Sequence, residues 1–248
     1  MEGSFSLSTA AANMAIPMKT LRNISLLLIT LAAASVGPMI FPAAQAGHGT
    51  MTESARFFLF PAAVVLFAIT LLNWKSAPAI GRFIVWGGLA GAMATLGLEV
   101  IRLAGFKMGY MPGNLPRLMG VLLLGRFALG PSLASDLSGW AYHFWNGASF
   151  GIIYVLLLGT GRRWVGVSYG IFLGLGFLVS PVVLSLGVGY FGLQFSIGFP
   201  ITVLTAHAVF GLLLGALARR FLSAEGSLLM TELRIFRVFR ALKPELKA

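Results

Sequence analysis

Long apolar stretches alternate with short polar or charged breaks along most of the chain. Breaks such as Asn73-Trp74-Lys75 and Arg162-Arg163-Trp164 combine charge with an interfacial aromatic residue, as the ends of membrane-spanning helices do. Apolar stretches of this length suit helices that cross the roughly 30 Å hydrocarbon core of a bilayer. The pattern predicts an all-α, polytopic transmembrane helix bundle with spans at 57–72, 83–103, 139–159, 165–186 and 198–217.

The N-terminal segment has two interpretations. Residues 18–22 form a basic n-region with Lys19 and Arg22, residues 24–36 form an apolar h-region, and Ala44-Gln45-Ala46 fits a small-residue cleavage site. The segment thus has the three parts of a secretory signal peptide. The apolar stretch also continues to Phe41, which makes it long enough for a first span. We therefore predict a disordered tail followed by this segment over 1–46, with six spans in total, or five if the segment is cleaved.

Composition supports the membrane class and narrows the partners. Charged residues make up 10% of the chain and hydrophobic residues 58%, whereas about a quarter of the residues in a soluble domain are charged. The net charge of +11 comes from Lys and Arg at span ends and in the tail. We interpret it as a topology signal, with the lipid bilayer as partner and no nucleic acid. The absence of cysteine excludes disulfides and thiolate metal sites.

Basic residues gather on one side of the membrane if every span crosses once. By the positive-inside rule this side is cytoplasmic. The chain is thus predicted to lie in a bacterial inner membrane with its C-terminus in the cytoplasm. The residues on this side are Lys19, Arg22, Lys75, Arg82, Arg162, Arg163, Arg219 and Arg220.

Two further segments are predicted to lie at the membrane surface or to re-enter it. Residues 118–129 are apolar but too short to cross, which indicates a re-entrant or interfacial helix. The tail 221–248 resembles, over about ten residues, the arginine-bearing fourth helix of voltage-gated cation channels, but no pore segment follows it. We favour a basic amphipathic helix on the anionic cytoplasmic leaflet. Its basic residues recur every third position, at Arg234, Arg237, Arg240 and Lys243.

Two spans carry the same H-x-x-x-G-x-x-x-G pattern, and a span with G-x-x-x-G precedes each of them. Spacings of four place these residues on one side of a helix, and small residues there let transmembrane helices pack closely. Between 47 and 220 the chain thus contains two similar hairpins, 83–160 and 165–218, which suggest a parallel repeat; chance recurrence in a glycine-rich chain is the alternative. The residues are His143, Gly147 and Gly151 after Gly87 and Gly91, and His207, Gly211 and Gly215 after Gly170 and Gly174.

Ionisable residues inside spans are costly and often functional. Glu99, Arg102, His143, Asn146 and His207 are predicted to form a polar cluster in the outer leaflet. From the predicted span starts, His207 should lie roughly 6–8 Å deeper than His143. The cluster is explained either by helix-to-helix hydrogen bonds, with Glu99 and Arg102 paired at i,i+3, or by a ligand or proton pathway.

Cofactor hypotheses follow from the histidines. His143 and His207 could hold haem b from two helices, although the predicted difference in depth argues against it. His48 and His143, with Glu99 or Asp136, are candidate metal ligands. We favour neither cofactor. No Walker loop, H-E-x-x-H or G-x-S-x-G triad motif occurs, so no enzymatic activity is predicted.

Two motifs resemble those of small bacterial multi-pass membrane-protein families of unknown function. They are G-W-x-x-H-F-x-x-G at 139–147 and M-P-x-x-x-P-x-x-M-G at 111–120, and the resemblance covers about residues 83–218. It implies a fold and a location. We predict a non-enzymatic membrane component, a subunit or accessory of a complex through other subunits or self-association, with a polar site around His143. The alternatives are a small proton or metal-ion transporter or channel, and a haem b electron carrier.

Overall fold

The computed structural model describes residues 18–160, 163–223 and 226–229, and over these ranges the chain is helical without strands. A short 3-10 turn, Tyr190–Gly192, lies in the last loop. The predicted basic helix with Arg234, Arg237, Arg240 and Lys243 lies outside the described residues and stays a prediction. The helices are α1 Met18–Gln45, α2 Met51–Leu72, α3 Pro78–Lys107, α4 Leu115–Leu123, α5 Leu133–Leu158, α6 Arg163–Leu178, α7 Pro181–Ser185 and α8 Gly198–Leu222.

Six helical segments in the described part of the chain are long and apolar enough to cross a membrane. They are α1, α2, α3, α5, α8 and the combined segment Trp164–Ser185, which contains most of α6 and all of α7. The six-span helix bundle predicted from the sequence is therefore confirmed as the fold. The protein belongs by its architecture among multi-pass membrane helix bundles.

Helix α5 begins six residues before the predicted span. Ser132 accepts a hydrogen bond from the Ser135 backbone N–H at 3.2 Å, and the Ser135 hydroxyl approaches the Ser132 backbone N–H at 2.8 Å. This reciprocal cap satisfies donors that the first turn of a helix leaves free. Because a cap is polar, a hydrophobic pattern places the helix start too late.

Helix α4 corresponds to the short helix predicted over 118–129, but it begins and ends earlier. It runs over nine residues, about 13 Å, so it cannot cross a bilayer. After it the chain turns at Gly125, which has a positive φ of 60°. Gly120 of α4 lies against the first turns of α5, where an added Cβ would overlap the Ser135 carbonyl oxygen. The short helix is therefore anchored to the bundle by close backbone packing.

The span that follows α5 is broken, as the position of Pro181 predicts. Helix α6 ends at Leu178 and α7 starts at Pro181. Ser180 adopts an extended conformation with φ −74° and ψ 158°, because proline disfavours the helical conformation of the residue before it. The break leaves Ser180 facing the interior of the bundle, where it lines the cavity described below.

Helix α3 lies at the centre of the bundle, between α5 and α8. Helix α6 packs on the far side of α8, while α1 packs against α5 and α2. The largest buried cluster joins Leu27, Phe83, Tyr154 and Phe210 from four helices. At one end, Arg22 donates a hydrogen bond to the Ser76 carbonyl at 2.9 Å, which brings the basic start of α1 to the turn between α2 and α3.

Two glycine seams hold helix pairs together. In the first, between α3 and α5, Gly87 lies against Gly151 and Gly91 against Gly147. A Cβ at Gly91 would overlap the Gly147 carbonyl oxygen, so the backbones are in direct contact.

In the second seam, between α6 and α8, Gly166 lies against Gly211 and Gly215, and Gly170 against Gly211. Gly166 was not among the predicted packing glycines, whereas Gly174 was; Gly174 faces the His207 ring. The contacts of Gly166 and Gly170 thus match those of Gly87 and Gly91, one turn away from the register that the G-x-x-x-G motifs predict.

Candidate functional site

Glu99 and Arg102 form a buried ion pair on one turn of α3. The Arg102 Nε lies 2.7 and 2.9 Å from the two Glu99 carboxylate oxygens, and Nη2 lies 2.5 Å from Oε2. Glu99 is 5% exposed and Arg102 is 4% exposed. Two parallel N–H donors on one carboxylate are the strong geometry for such a pair. The pair makes two intramembrane charges tolerable together.

His143 connects this pair to α5. Its Nε2 lies 2.8 Å from Glu99 Oε1. Because an ionised carboxylate only accepts hydrogen bonds, Nε2 carries the hydrogen and donates it. The Trp140 ring, one turn earlier on α5, lies 5.9 Å from the Arg102 guanidinium carbon. The structure thus brings together Glu99, Arg102 and His143, three of the predicted cluster residues.

Two polar atoms beside this triad have no hydrogen-bond partner in the described part of the chain. They are Arg102 Nη1 and Asn146 Oδ1, and both are buried. Asn146 lies one turn after His143 and near Gly37 of α1. A buried polar atom without a partner is costly, and its presence calls for an explanation such as a bound molecule.

His207 lies on α8 and is not joined to the triad. Its Nδ1 lies 2.8 Å from the Val203 carbonyl oxygen. A carbonyl only accepts, so Nδ1 carries the hydrogen and the neutral ring presents Nε2 as an acceptor. Among the described residues the hydrogen bond seen for this ring is the one at Nδ1. Phe177 of α6 stacks on the ring, with centroids 6.2 Å apart.

A cavity of about 300 Å³ unites these side chains. Its walls come from α1, α3, α5, α6 and α8, and Met119 of α4 contributes at one end. Both histidines therefore face one internal space, and the cavity itself was not among the predictions. The polar part of the lining includes Arg102, His143, Asn146 and His207; the apolar part includes Phe41, Leu98, Phe150, Phe172, Phe177 and Phe210.

Exposed lining residues on α1 and α6 indicate that the cavity opens on the side of the bundle. Met39 of α1 and Phe172 of α6 are 60% and 71% exposed, whereas Phe210, which also lines the cavity, is 2% exposed. In a bilayer the side surface of a helix bundle faces the lipid chains. A molecule dissolved in the membrane could therefore enter the cavity without passing through water.

The observed start of α5 changes the predicted depths. Leu133 precedes His143 by ten residues, and Gly198 precedes His207 by nine. The two histidines therefore differ by only one residue in their distance from the starts of their helices, whereas their relative depth in a bilayer stays a prediction.

No group of three or more His, Cys, Asp or Glu side chains suited to a metal occurs among the described residues. His48 lies in the exposed loop between α1 and α2, and Asp136 pairs with Arg117 at 3.3 Å. The Nε2 atom of His143 is held by Glu99. The haem b and metal-ion hypotheses remain untested predictions.

No protein-family model, curated protein or solved structure matches the chain. The resemblance of 111–120 and 139–147 to small bacterial membrane families therefore stays a prediction.

Proposed function

We propose that this is a non-enzymatic integral membrane protein that holds a small, largely apolar ligand inside its helix bundle. The main observation that supports this proposal is the cavity of about 300 Å³, because Arg102, His143 and His207 all line its largely apolar space. Small-molecule sites are typically apolar cavities of about 300–1,000 Å³ with a few convergent polar groups. The cavity has this character at the small end of the range.

The unsatisfied Arg102 Nη1 supports a ligand more than a purely structural ion pair. Glu99 already neutralises Arg102 and accepts hydrogen bonds from its Nε and Nη2 groups. A pair that served only packing would gain stability if its remaining N–H groups also had partners, since each unmade buried hydrogen bond costs about 1–3 kcal/mol. A ligand oxygen would satisfy this requirement.

Plugging the cavity tests the proposal. Gly176 lines the cavity, and a Cβ there meets no atom within 4 Å, so Gly176→Phe should fill the opening without a clash at the backbone. Leu175→Phe is the matched control, because Leu175 precedes Gly176 on α6, is exposed and does not line the cavity.

We expect organic extracts of the detergent-purified protein to contain a stoichiometric small molecule by mass spectrometry. Gly176→Phe should lose this molecule and Leu175→Phe should retain it. Equal retention by both variants, or no bound molecule in the unchanged protein, would count against ligand binding in the cavity.

For location, we propose a bacterial inner membrane with the basic end of the bundle in the cytoplasm. The contact of Arg22 with Ser76 supports this by placing basic residues of two segments at one end. Because the chain has no cysteine, single introduced cysteines report sidedness cleanly. Ser76→Cys should be protected from a membrane-impermeant thiol reagent in intact cells, and Ala128→Cys, at the opposite end, should react. The reverse pattern would invert the topology.

A role as subunit or accessory of a membrane complex is also proposed, with α2 as the contact helix. Of the six spans, α2 has the smallest buried share within the described bundle, 22%. Exposed residues at helical spacing form one face of it: Phe57, Phe60, Val64, Phe67 and Leu71. Native mass spectrometry should find a second chain, and Val64→Trp should release it. A clean monomer from gentle detergent would oppose this role.

Proton transport is the second candidate, favoured by the Glu99–His143 contact of 2.8 Å between two spans. A carboxylate bonded to an imidazole can pass a proton, and such pairs recur in membrane proton pathways. Liposomes with the reconstituted protein should then acidify under a proton gradient. His143→Gln should abolish the flux, while His48→Gln in the exposed loop should not. Flux at the background of empty liposomes would remove this candidate.

A further inference from the structure

We infer that the cavity takes a neutral, lipid-soluble ring compound bearing hydroxyl groups, of the quinol class. The inference rests on the proposed function and names its ligand chemistry. It is argued from the Glu99–Arg102 ion pair, from the hydrogen-bonding groups that Arg102 and His207 offer, and from the exposed lining residues of α1 and α6.

The charge balance argues for a neutral ligand. Glu99 and Arg102 are in contact at full charge and together carry none. His143 donates a single N–H to Glu99. A carboxylate or phosphate group would bring a negative charge that the pair cannot offset, and an uncompensated charge is expensive in a low-dielectric interior.

The donor on Arg102 and the acceptor on His207 together favour a ligand with a hydroxyl group. Arg102 offers N–H donors at Nη1, which call for an oxygen acceptor on the ligand. His207 offers the opposite, an acceptor at Nε2, because its Nδ1 hydrogen is used on Val203. A quinol hydroxyl both accepts and donates, so a quinol can satisfy both residues. A quinone has only acceptor oxygens and would leave His207 Nε2 without a partner.

The shape of the cavity suits a flat ring with an apolar tail. Phe150, Phe177 and Phe210 line it, and aromatic faces pack well against a planar ring. The volume of about 300 Å³ is small. A tail would therefore extend through the opening beside Met39 and Phe172, where the bundle meets the lipid.

The test is a binding comparison on the full-length protein in detergent. Three probes are titrated: a decyl-substituted benzoquinol kept reduced under argon, the corresponding quinone, and dodecanoate. Affinities are measured by isothermal titration calorimetry. We expect the quinol to bind about three- to tenfold more tightly than the quinone, the value of one added hydrogen bond. Dodecanoate should bind most weakly.

Two variants test whether His207 and Arg102 make the proposed hydrogen bonds to the ligand. His207→Phe keeps a flat ring against Phe177 but removes Nε2, so it should abolish the preference for quinol over quinone. Arg102→Lys keeps the charge opposite Glu99 but loses Nη1, so it should weaken both ring probes. Leu175→Phe, outside the cavity, should change neither. Unfolding curves of each variant verify that it is folded.

The outcomes separate the two proposals. Equal affinity for quinol and quinone, a preference for dodecanoate, or a quinol preference that survives in His207→Phe would overturn the quinol inference. If no probe binds but Gly176→Phe displaces a copurifying molecule, the ligand-binding function stands and the inference fails. If no probe binds and nothing copurifies, both fail.

Discussion

Gly91→Ala should separate α3 from α5. The new Cβ would overlap the carbonyl oxygen of Gly147 and approach the Gly151 Cα at 2.9 Å. Neither contact is with a side chain that could rotate away, so the two helices have to move apart along the first glycine seam. This movement would also lengthen the Glu99–His143 hydrogen bond, which crosses between the same helices.

The expected size follows from two opposing terms. Overpacking a tight interior costs about 1–3 kcal/mol, and a backbone clash belongs at the upper end. Replacing glycine by alanine in a helix returns about 0.5–1 kcal/mol. We therefore expect Gly91→Ala to lower the free energy of unfolding by about 2 kcal/mol.

The control lies three residues earlier in α3. At Gly88 a Cβ would meet the Ile152 side chain at 3.7 Å, an ordinary van der Waals contact. Gly88→Ala should therefore leave stability unchanged or raise it by about 0.5–1 kcal/mol. The assay is reversible unfolding in mixed detergent micelles, followed by circular dichroism. If Gly91→Ala unfolds no earlier than Gly88→Ala, the seam is not the close contact that we describe.

Three further predictions use the same unfolding assay. Gly211→Ala, in the second seam, should cost about 2 kcal/mol while Gly176→Ala costs nothing, because only the first clashes with backbone; equal stability would contradict this. Arg102→Leu should cost about 3–5 kcal/mol, and adding Glu99→Leu should recover part of the loss, since an unpaired buried charge is worse than none; an additive loss would refute the pairing. Tyr142→Phe removes a 2.6 Å hydrogen bond and should cost about 1 kcal/mol, so an unchanged stability would show that this bond is dispensable.

The spans were predictable because bilayer thickness and backbone hydrogen bonding impose a long apolar helix at each crossing. The break before Pro181 was equally predictable, because the proline ring disfavours a helical conformation of the preceding residue. The start of α5 was not, since the Ser132 cap is polar and lies before the apolar pattern. Gly166 was missed because the register of helix packing depends on the partner helix, not on motif spacing alone.

The candidate site was predictable in part for a similar reason. The Glu99–Arg102 pair lies within one turn of one helix, so the i,i+3 spacing is enough to predict it. The cavity is not local, because it is a gap left by five helices after the glycine seams have fixed their distances. Sequence spacing indicated that His143 and His207 were unusual, but only the packing of α6 and α8 shows that they face one space.

The prolines of α1 give the cavity one wall that differs mechanically from the others. Pro38 and Pro42 both line the cavity and both lie inside the helix. Proline has no N–H, so the carbonyls of Ala34 and Pro38 lack their usual intrahelical donors, and the helix resists bending less at this point. The α3–α5 and α6–α8 pairs, in contrast, are joined backbone to backbone. The wall of the cavity that α1 forms is therefore the one expected to bend most easily, whereas these two helix pairs form a more rigid part of the bundle.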